Sequence, residues 1–192
     1  MFKKIIYTST LCFATFTIAF AQKKEKYQFT SITTIGMVAG ANQQIFTMQS
    51  FNGVSKNLWV HGLGFAFDNY GSNSSPIFLG SRRYLSKSKK TFLYADAGVN
   101  IPWRTSNFPK PTQPNGDGFN LKIKPYAEFG IGITAPINQQ TKFIAQLGYS
   151  YKGFGYTEKN SWFWIGPAPT TQKEIEYDFV YRRVALRLGI VF

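Results

Sequence analysis

From Phe119 to Thr134 the chain reads FNLKIKPYAEFGIGIT, and its residues alternate in character. Phe119, Leu121, Ile123, Pro125, Ala127, Phe129, Ile131 and Ile133 fill one set of positions; Asn120, Lys122, Lys124, Tyr126, Glu128, Gly130 and Gly132 fill the other. A period of two belongs to a β-strand, whose successive side chains point to opposite faces. A helix would scatter these residues around its circumference. It would also carry glycine and proline internally, at about 1 and about 3 kcal/mol respectively relative to alanine. The segment is therefore read as a strand, in which Pro125 removes one ladder hydrogen bond and calls for a local bulge.

The same rule recurs. In Thr141 to Lys152, Phe143, Ala145, Leu147, Tyr149 and Tyr151 oppose Gln146, Gly148, Ser150 and Lys152. In Thr91 to Trp103, Leu93, Ala95, Ala97, Val99, Ile101 and Trp103 oppose Tyr94, Asp96, Gly98 and Asn100. Gln28 to Val38, Gln43 to Phe51, Asn57 to Phe67 and Pro76 to Leu85 have strand composition without a clean polar face. With the C-terminal Tyr181 to Phe192, eight strands are expected. Short links are placed at Ala39 to Asn42, Asn52 to Lys56, Ser86 to Lys90 and Pro136 to Gln140. Longer ones are placed at Asp68 to Ser75, Arg104 to Gly118 and Gly155 to Lys173.

Ahead of the strands, Lys3 and Lys4 precede an apolar run, Ile5 to Phe20, that ends in Ala19-Phe20-Ala21, the three-part pattern of a cleaved export signal. Residues 1–21 are read as a signal peptide and 22–192 as one barrel domain. The single cysteine, Cys12, falls in the leader, which excludes a disulfide framework and thiolate chemistry from the mature chain. The charge of +13 includes Lys3 and Lys4, leaving +11 for residues 22–192. Export directs such a balance toward anionic surfaces, lipopolysaccharide among them, rather than toward nucleic acid.

Alternation alone does not say whether the apolar face meets a soluble core or lipid. Segments of about ten residues match a tilted strand crossing a bilayer. Aromatic residues gather near strand ends, at Trp103, Phe119, Tyr149, Tyr151 and Phe192, as an interfacial girdle requires. The chain closes on VALRLGIVF, with Val184, Leu186, Leu188 and Ile190 alternating up to Phe192. The expected fold is all-β, an antiparallel up-and-down transmembrane β-barrel. This ending resembles the terminal assembly signal of Gram-negative outer-membrane barrels, carried by Phe192, Ile190, Leu188 and Leu186. The stretches SRRYLSKSKKTFLYADAGVNIPW and KIKPYAEFGIGITAPINQQTKFIAQLGYSYKGFGY are similar to the small eight-stranded outer-membrane protein family, such as the transmembrane domain of outer-membrane protein A. The resemblance implies an outer-membrane location, insertion by the barrel-assembly machinery, both termini in the periplasm, and no cofactor.

Chemistry-bearing residues are few. His61, the single histidine, shares parity with Trp59, Leu63 and Phe65 on the apolar face, and no lipase-type serine motif adjoins it. A packed or interfacial role is the expectation, and a lipid-modifying enzyme using His61 is the alternative. Asp96 and Glu128 lie on polar faces. They are expected to form a lumenal charge network with Lys122, Lys124, Arg183 and Arg187, because a narrow barrel must neutralise buried charge. Arg182 has lipid-face parity and is placed at the far rim, where it can reach water. Gly130-Ile131-Gly132 lacks the context of a phosphate loop, and for Trp162-Phe163-Trp164 in the longest expected loop, girdle packing at the membrane surface is the expectation and partner binding the alternative. A catalytic role, a metal and a cofactor are not inferred. The functional expectation is a structural or surface-interaction role through the loops, with a narrow conduit or binder for a small solute as the alternative.

Overall fold

The computed structural model describes residues 27–41, 43–71, 73–103, 119–161 and 172–192. The expected signal peptide, the Arg104 to Gly118 loop and the Trp162-Phe163-Trp164 run lie outside the described residues. The strands are β1 (Gln28–Ala39), β2 (Gln44–Lys56), β3 (Trp59–Asp68), β4 (Ser74–Tyr84), β5 (Thr91–Pro102), β6 (Phe119–Lys122), β7 (Lys124–Pro136), β8 (Lys142–Ser161) and β9 (Gln172–Val191). All pairings are antiparallel. β6 and β7 are successive parts of one stave, so nine segments make an eight-stave barrel, closed where β9 pairs with both β8 and β1. Phe192 extends the closure by exchanging backbone hydrogen bonds with Ser31 at 2.9 and 3.1 Å.

One end of the barrel carries the described termini and the tight links. β2 turns into β3 through Asn57 and Leu58 alone, with Asn57 at φ +56°, a left-handed conformation that asparagine tolerates. The expected turn at Asn52 to Lys56 is therefore displaced, since those residues continue β2 and pair with Trp59 to Leu63. At the other end, the expected link from Gly155 to Lys173 is strand at both of its described ends: Gly155 to Ser161 prolongs β8, and β9 begins at Gln172, nine residues before the expected Tyr181, so the ladder runs to Ser161↔Gln172. Cross-strand aromatic pairs, Phe154↔Phe179 and Tyr156↔Tyr177, hold this extension. β6 joins β8 there, from Phe119↔Glu158 to Lys122↔Gly155.

The bulge expected at Pro125 is present. Between the pairs Lys122↔Gly155 and Tyr126↔Lys152, residues 123–125 on one stave face only 153–154 on the next. One extra residue reverses the faces of everything before it.

Burial alternates along every stave, including β1 to β4, whose sequence lacks a clean polar face. The reason is that their inward positions carry rings and branched chains. Ile32, Phe51, Val60, Phe78, Tyr84 and Phe92 form the apolar part of the core with Tyr94, Tyr126, Ile144 and Val191. Outward positions carry Met37, Phe46, Leu63, Leu79, Phe129, Ile131, Leu147 and Leu186, each at least 44% exposed. In water such a continuous apolar wall would be far larger than the few hundred Å² that soluble proteins leave uncovered. The ten residues of β3, at roughly 3.3 Å each and tilted about 40°, rise about 25 Å, the height of a membrane barrel's apolar band.

Candidate functional site

The interior is layered. At the turn end an apolar floor of Ile32, Val60, Tyr84, Phe92, Ile144 and Val191 closes the lumen. Below it a mouth hollow of about 510 Å³ opens among Phe29, Ser55, Lys89, Gln140, Lys142 and Phe192. Above the floor, Asp96 and Glu128 sit directly opposite each other on β5 and β7. Two like charges in that register repel, and each takes its own arginine. Arg82 donates to both Asp96 oxygens, at 2.5 and 3.1 Å. Arg187 donates to both Glu128 oxygens, the Nη2 bond being 2.8 Å. Glu128 also accepts from the hydroxyls of Tyr94 and Tyr126, each at 2.9 Å. Arg82 lies 3.6 Å from the centre of the Phe51 ring, so its flat cation is clamped between a carboxylate and an aromatic face. Gln49 adds a longer bond to Asp96, 3.3 Å.

Nearer the loop end a third carboxylate, Asp68, is shared. Arg183 donates to its Oδ2 and to Ser150 Oγ, the latter at 2.8 Å. Lys152 Nζ stands 3.2 Å from Asp68 Oδ1 and donates to the Tyr70 carbonyl at 2.9 Å. The buried set thus holds four cations, Arg82, Lys152, Arg183 and Arg187, and three carboxylates, Asp68, Asp96 and Glu128, all 3% exposed or less. Inward glycines make the space. A Cβ on Gly80 would come within 2.2 Å of both Arg82 Nη1 and Asp96 Oδ1, and one on Gly132 within 2.1 Å of the Phe92 ring.

The expected network is therefore redrawn in membership. Asp96, Glu128, Arg183 and Arg187 are interior, but Asp96 pairs with Arg82 and Arg183 with Asp68. Lys122 and Lys124 are not lumenal. The Pro125 bulge turns them outward, where Lys122 meets Glu176 at 2.6 Å and Lys124 meets Asp178 at 2.6 Å and Glu176 at 3.7 Å. At this water-exposed rim the Asp178 hydrogen bond raises the Lys124 pKa above its ordinary value, and the Lys122 hydrogen bond lowers that of Glu176. Arg82, Asp68, Lys152 and the two tyrosines were missed. Within the expected Pro76 to Leu85 strand Arg82 has the inward parity of Phe78, Gly80 and Tyr84, and Asp68, one residue past the expected Asn57 to Phe67 strand, has that of Ala66, so tracing the alternation through both would have found them.

His61 points outward and stacks on Trp59, with ring centres 5.4 Å apart and planes 11° apart. Ser81 is its cross-strand partner, yet the Ser81 hydroxyl has no hydrogen-bond partner among the described residues, so the two are not joined as nucleophile and base. The described residues contain no group of three or more histidine, cysteine or acidic side chains placed to hold a metal. Phe192, Leu186 and Leu188 lie on the outer wall with Ile190, and Arg182 shares that face near its loop-end limit.

A closed antiparallel barrel with a packed, charge-bearing interior and an apolar outer belt is a transmembrane β-barrel, since a closed sheet alone satisfies its backbone in lipid without helices. The described residues form a small transmembrane barrel of eight staves. No protein-family model matches the chain, and no curated protein matches its sequence. Among solved structures it is similar to the outer membrane protein AlkL determined by solid-state NMR in DMPC bilayers, with a TM-score of 0.47, 11% identity and coverage of 88% of this chain and 91% of that one. The outer membrane protein OprG from Pseudomonas aeruginosa gives a TM-score of 0.44 and 9% identity, over 86% and 93% of the two chains. At these values the assignment rests on the inside and outside of the barrel itself.

Proposed function

We propose that this protein works from its surfaces and not through its lumen. It is a sealed barrel that anchors the β6–β8–β9 sheet and its connecting segments as an interaction platform. The observation supporting this reading is the near-complete burial of the central layer, from Phe51, Phe78 and Phe92 at 1% exposure to Arg187 at 2%. A water-filled conduit would leave lumenal side chains wet. With the termini and tight turns in the periplasm, the platform faces the cell exterior, and the basic balance of the chain favours an anionic surface partner such as lipopolysaccharide. The test is reconstitution in planar bilayers and liposomes. Bilayers with no single-channel steps and liposomes that retain small sugars are expected. Steady conductance or sugar release would overturn the proposal.

A second reading, a binder for a small solute, is favoured by the mouth hollow of about 510 Å³ with its apolar roof of Val60, Tyr84 and Val191. Saturable uptake of a small apolar solute by detergent-solubilised protein, lost in Tyr84→Ala, would support it. A third, lipid modification through His61, would require lysolipid or free fatty acid to accumulate in the same liposomes and to vanish in His61→Ala.

A further inference from the structure

The outer wall near the turn end carries a row of side chains that the sealed-barrel reading leaves unused. Lys56 stands opposite Trp59, and Trp59 opposite Arg83. One row higher, His61 lies between Val54 and Ser81, and Ser81 is opposite Ala95. The Arg83 guanidinium is 5.3 Å from the Trp59 ring centre. Lys56 Nζ donates to the Tyr27 hydroxyl at 2.9 Å and lies 4.6 Å from that ring. His61 is the third residue of β3, so it stands roughly 5 Å above the strand's first residue in a tilted stave. That is headgroup depth, not the bilayer centre.

Two hollows adjoin at His61. The lower, about 480 Å³, is bounded by Tyr27, Val54, Lys56, Asn57, Trp59 and His61. The upper, about 500 Å³, runs over Ser81, Ala95 and Ala97 between Leu63 and Leu79. Asp96 borders the upper hollow only through its backbone, because its side chain is fully buried on Arg82. Among the described residues neither hollow therefore presents a carboxylate; Lys56 lines the lower one, and Arg83 stands at the same level across the Trp59 ring.

We propose that these hollows together hold one anionic glycerophospholipid of the turn-end leaflet. The phosphate sits on Lys56 and the His61 ring N–H, Arg83 adds its charge at the same level from across the Trp59 ring, the glycerol lies on the Trp59–His61 stack, and one acyl chain rises in the trough over Ala95 and Ala97. Charge complementarity and shape carry this. A neutral annular contact needs neither two cations at the headgroup level nor a trough of small residues continuous with them. The site also accounts for a histidine on the lipid face, with its apolar surface on Trp59 and its polar edge toward headgroups. The inference uses the orientation adopted above only to name the leaflet as periplasmic.

The test uses the full chain with Trp103, Trp162 and Trp164 replaced by phenylalanine, leaving Trp59 as the fluorophore. It is reconstituted in phosphatidylcholine vesicles carrying increasing fractions of brominated-chain phosphatidylglycerol or brominated-chain phosphatidylcholine. Phosphatidylglycerol is expected to quench Trp59 at a markedly lower mole fraction. Lys56→Gln and Arg83→Gln are each expected to raise its half-quenching fraction roughly fivefold, the effect of one basic residue near an anionic surface. Equal quenching by the two brominated lipids, or unchanged selectivity in the double variant, overturns the proposal. Should that variant not fold, as judged by heat-modifiable gel migration, Ala95→Leu fills the trough with both cations intact. It too is expected to weaken quenching by phosphatidylglycerol, and unchanged quenching there counts against the site. None of these readouts depends on conductance, so this site and the sealed lumen fail separately.

Discussion

Replacing Glu128 by glutamine removes one charge from the centre of the barrel while keeping its shape. In the native protein the carboxylate is 1% exposed and accepts four hydrogen bonds, two from Arg187 and one each from Tyr94 and Tyr126. The amide keeps one good acceptor and leaves the Arg187 cation, 2% exposed, without a counter-ion. Asp96 is next to it but is already held at both oxygens by Arg82. Breaking a buried pair from one side costs about 3–5 kcal/mol, and that is the loss expected for Glu128→Gln. Neutralising the other side as well, in Glu128→Gln with Arg187→Met, removes the stranded charge and its desolvation. The double variant is expected within about 2 kcal/mol of the native barrel, after about 1 kcal/mol for each tyrosine hydroxyl that loses a charged acceptor. The coupling between the two sites should then exceed about 2 kcal/mol. Reversible urea unfolding from lipid vesicles, followed by tryptophan fluorescence and by folded-form gel migration, measures Glu128→Gln, Arg187→Met and the double variant, from which the coupling follows. A loss below about 1 kcal/mol in Glu128→Gln would mean that water serves Arg187, and the sealed-lumen reasoning would fail with it.

Three further outcomes are expected. Gly80→Val places side-chain atoms where Arg82 Nη1 and Asp96 Oδ1 already lie 2.2 Å from a Cβ, so it should destabilise by about 1–3 kcal/mol as an overpacked core does, measured by the same unfolding assay. Leu147→Arg, at an outward position 51% exposed, should cost about 2–4 kcal/mol in a bilayer, whereas a water-facing wall would accept it with almost no change. The rim pairs should depend on pH in two directions. The lowered Glu176 pKa makes its contribution present above the ordinary carboxylate range and lost as pH falls through the lowered value. The raised Lys124 pKa makes its contribution present below the ordinary lysine range and lost as pH rises through the raised value. Amide protection of Lys122 in β6 should therefore be greatest between these limits, and flat protection from acid to alkaline pH would refute the pairing.

How far the fold could be read depended on what filled the inner face. On β5, β7 and β8 most inward residues are polar or glycine, with Phe92, Ile144 and Phe154 as exceptions, so the alternation was plain in Thr91 to Trp103 and Phe119 to Thr134. On β2, β3 and β4 the inward set includes Phe51, Val60, Phe78 and Tyr84, and both faces look apolar in sequence although only one meets lipid. That is why Arg82 went unremarked beside Arg83, although the two point to opposite sides of the wall. The long hairpin was legible and passed over. Ile175, Tyr177 and Phe179 alternate with Glu174, Glu176 and Asp178 just beyond the expected Gly155 to Lys173 link. A Cβ on Gly155 would come within 2.6 Å of Asp178 Oδ1 and Lys124 Cε, so glycine there makes room for the ion pairs. The bulge was foreseen from Pro125, yet its consequence for Lys122 and Lys124 was not carried through.

That consequence is what changes the outer wall from lipid-facing to water-facing. Along β9 the outward positions run Ile190, Leu188, Leu186, Val184, Arg182 and Val180, and then become acidic at Asp178 and Glu176. In an unbroken ladder from Tyr126↔Lys152, Lys124 and Lys122 would fall opposite Phe154 and Tyr156 on the inner side, setting cations among stacked rings and leaving the acidic pair without cations. The extra residue brings all four charges to one face, across Gly155. If this pairing docks β6, then Glu176→Lys with Asp178→Lys should detach it. Thermolysin should then cut before Leu121 or Ile123 while the barrel below keeps its folded gel migration. Adding Lys122→Glu and Lys124→Glu restores opposite charges in the same geometry and should restore protection. Protection unchanged by the first pair of substitutions, or not regained with the second, would show that β6 is held by its backbone ladder alone and that the bulge has no electrostatic role.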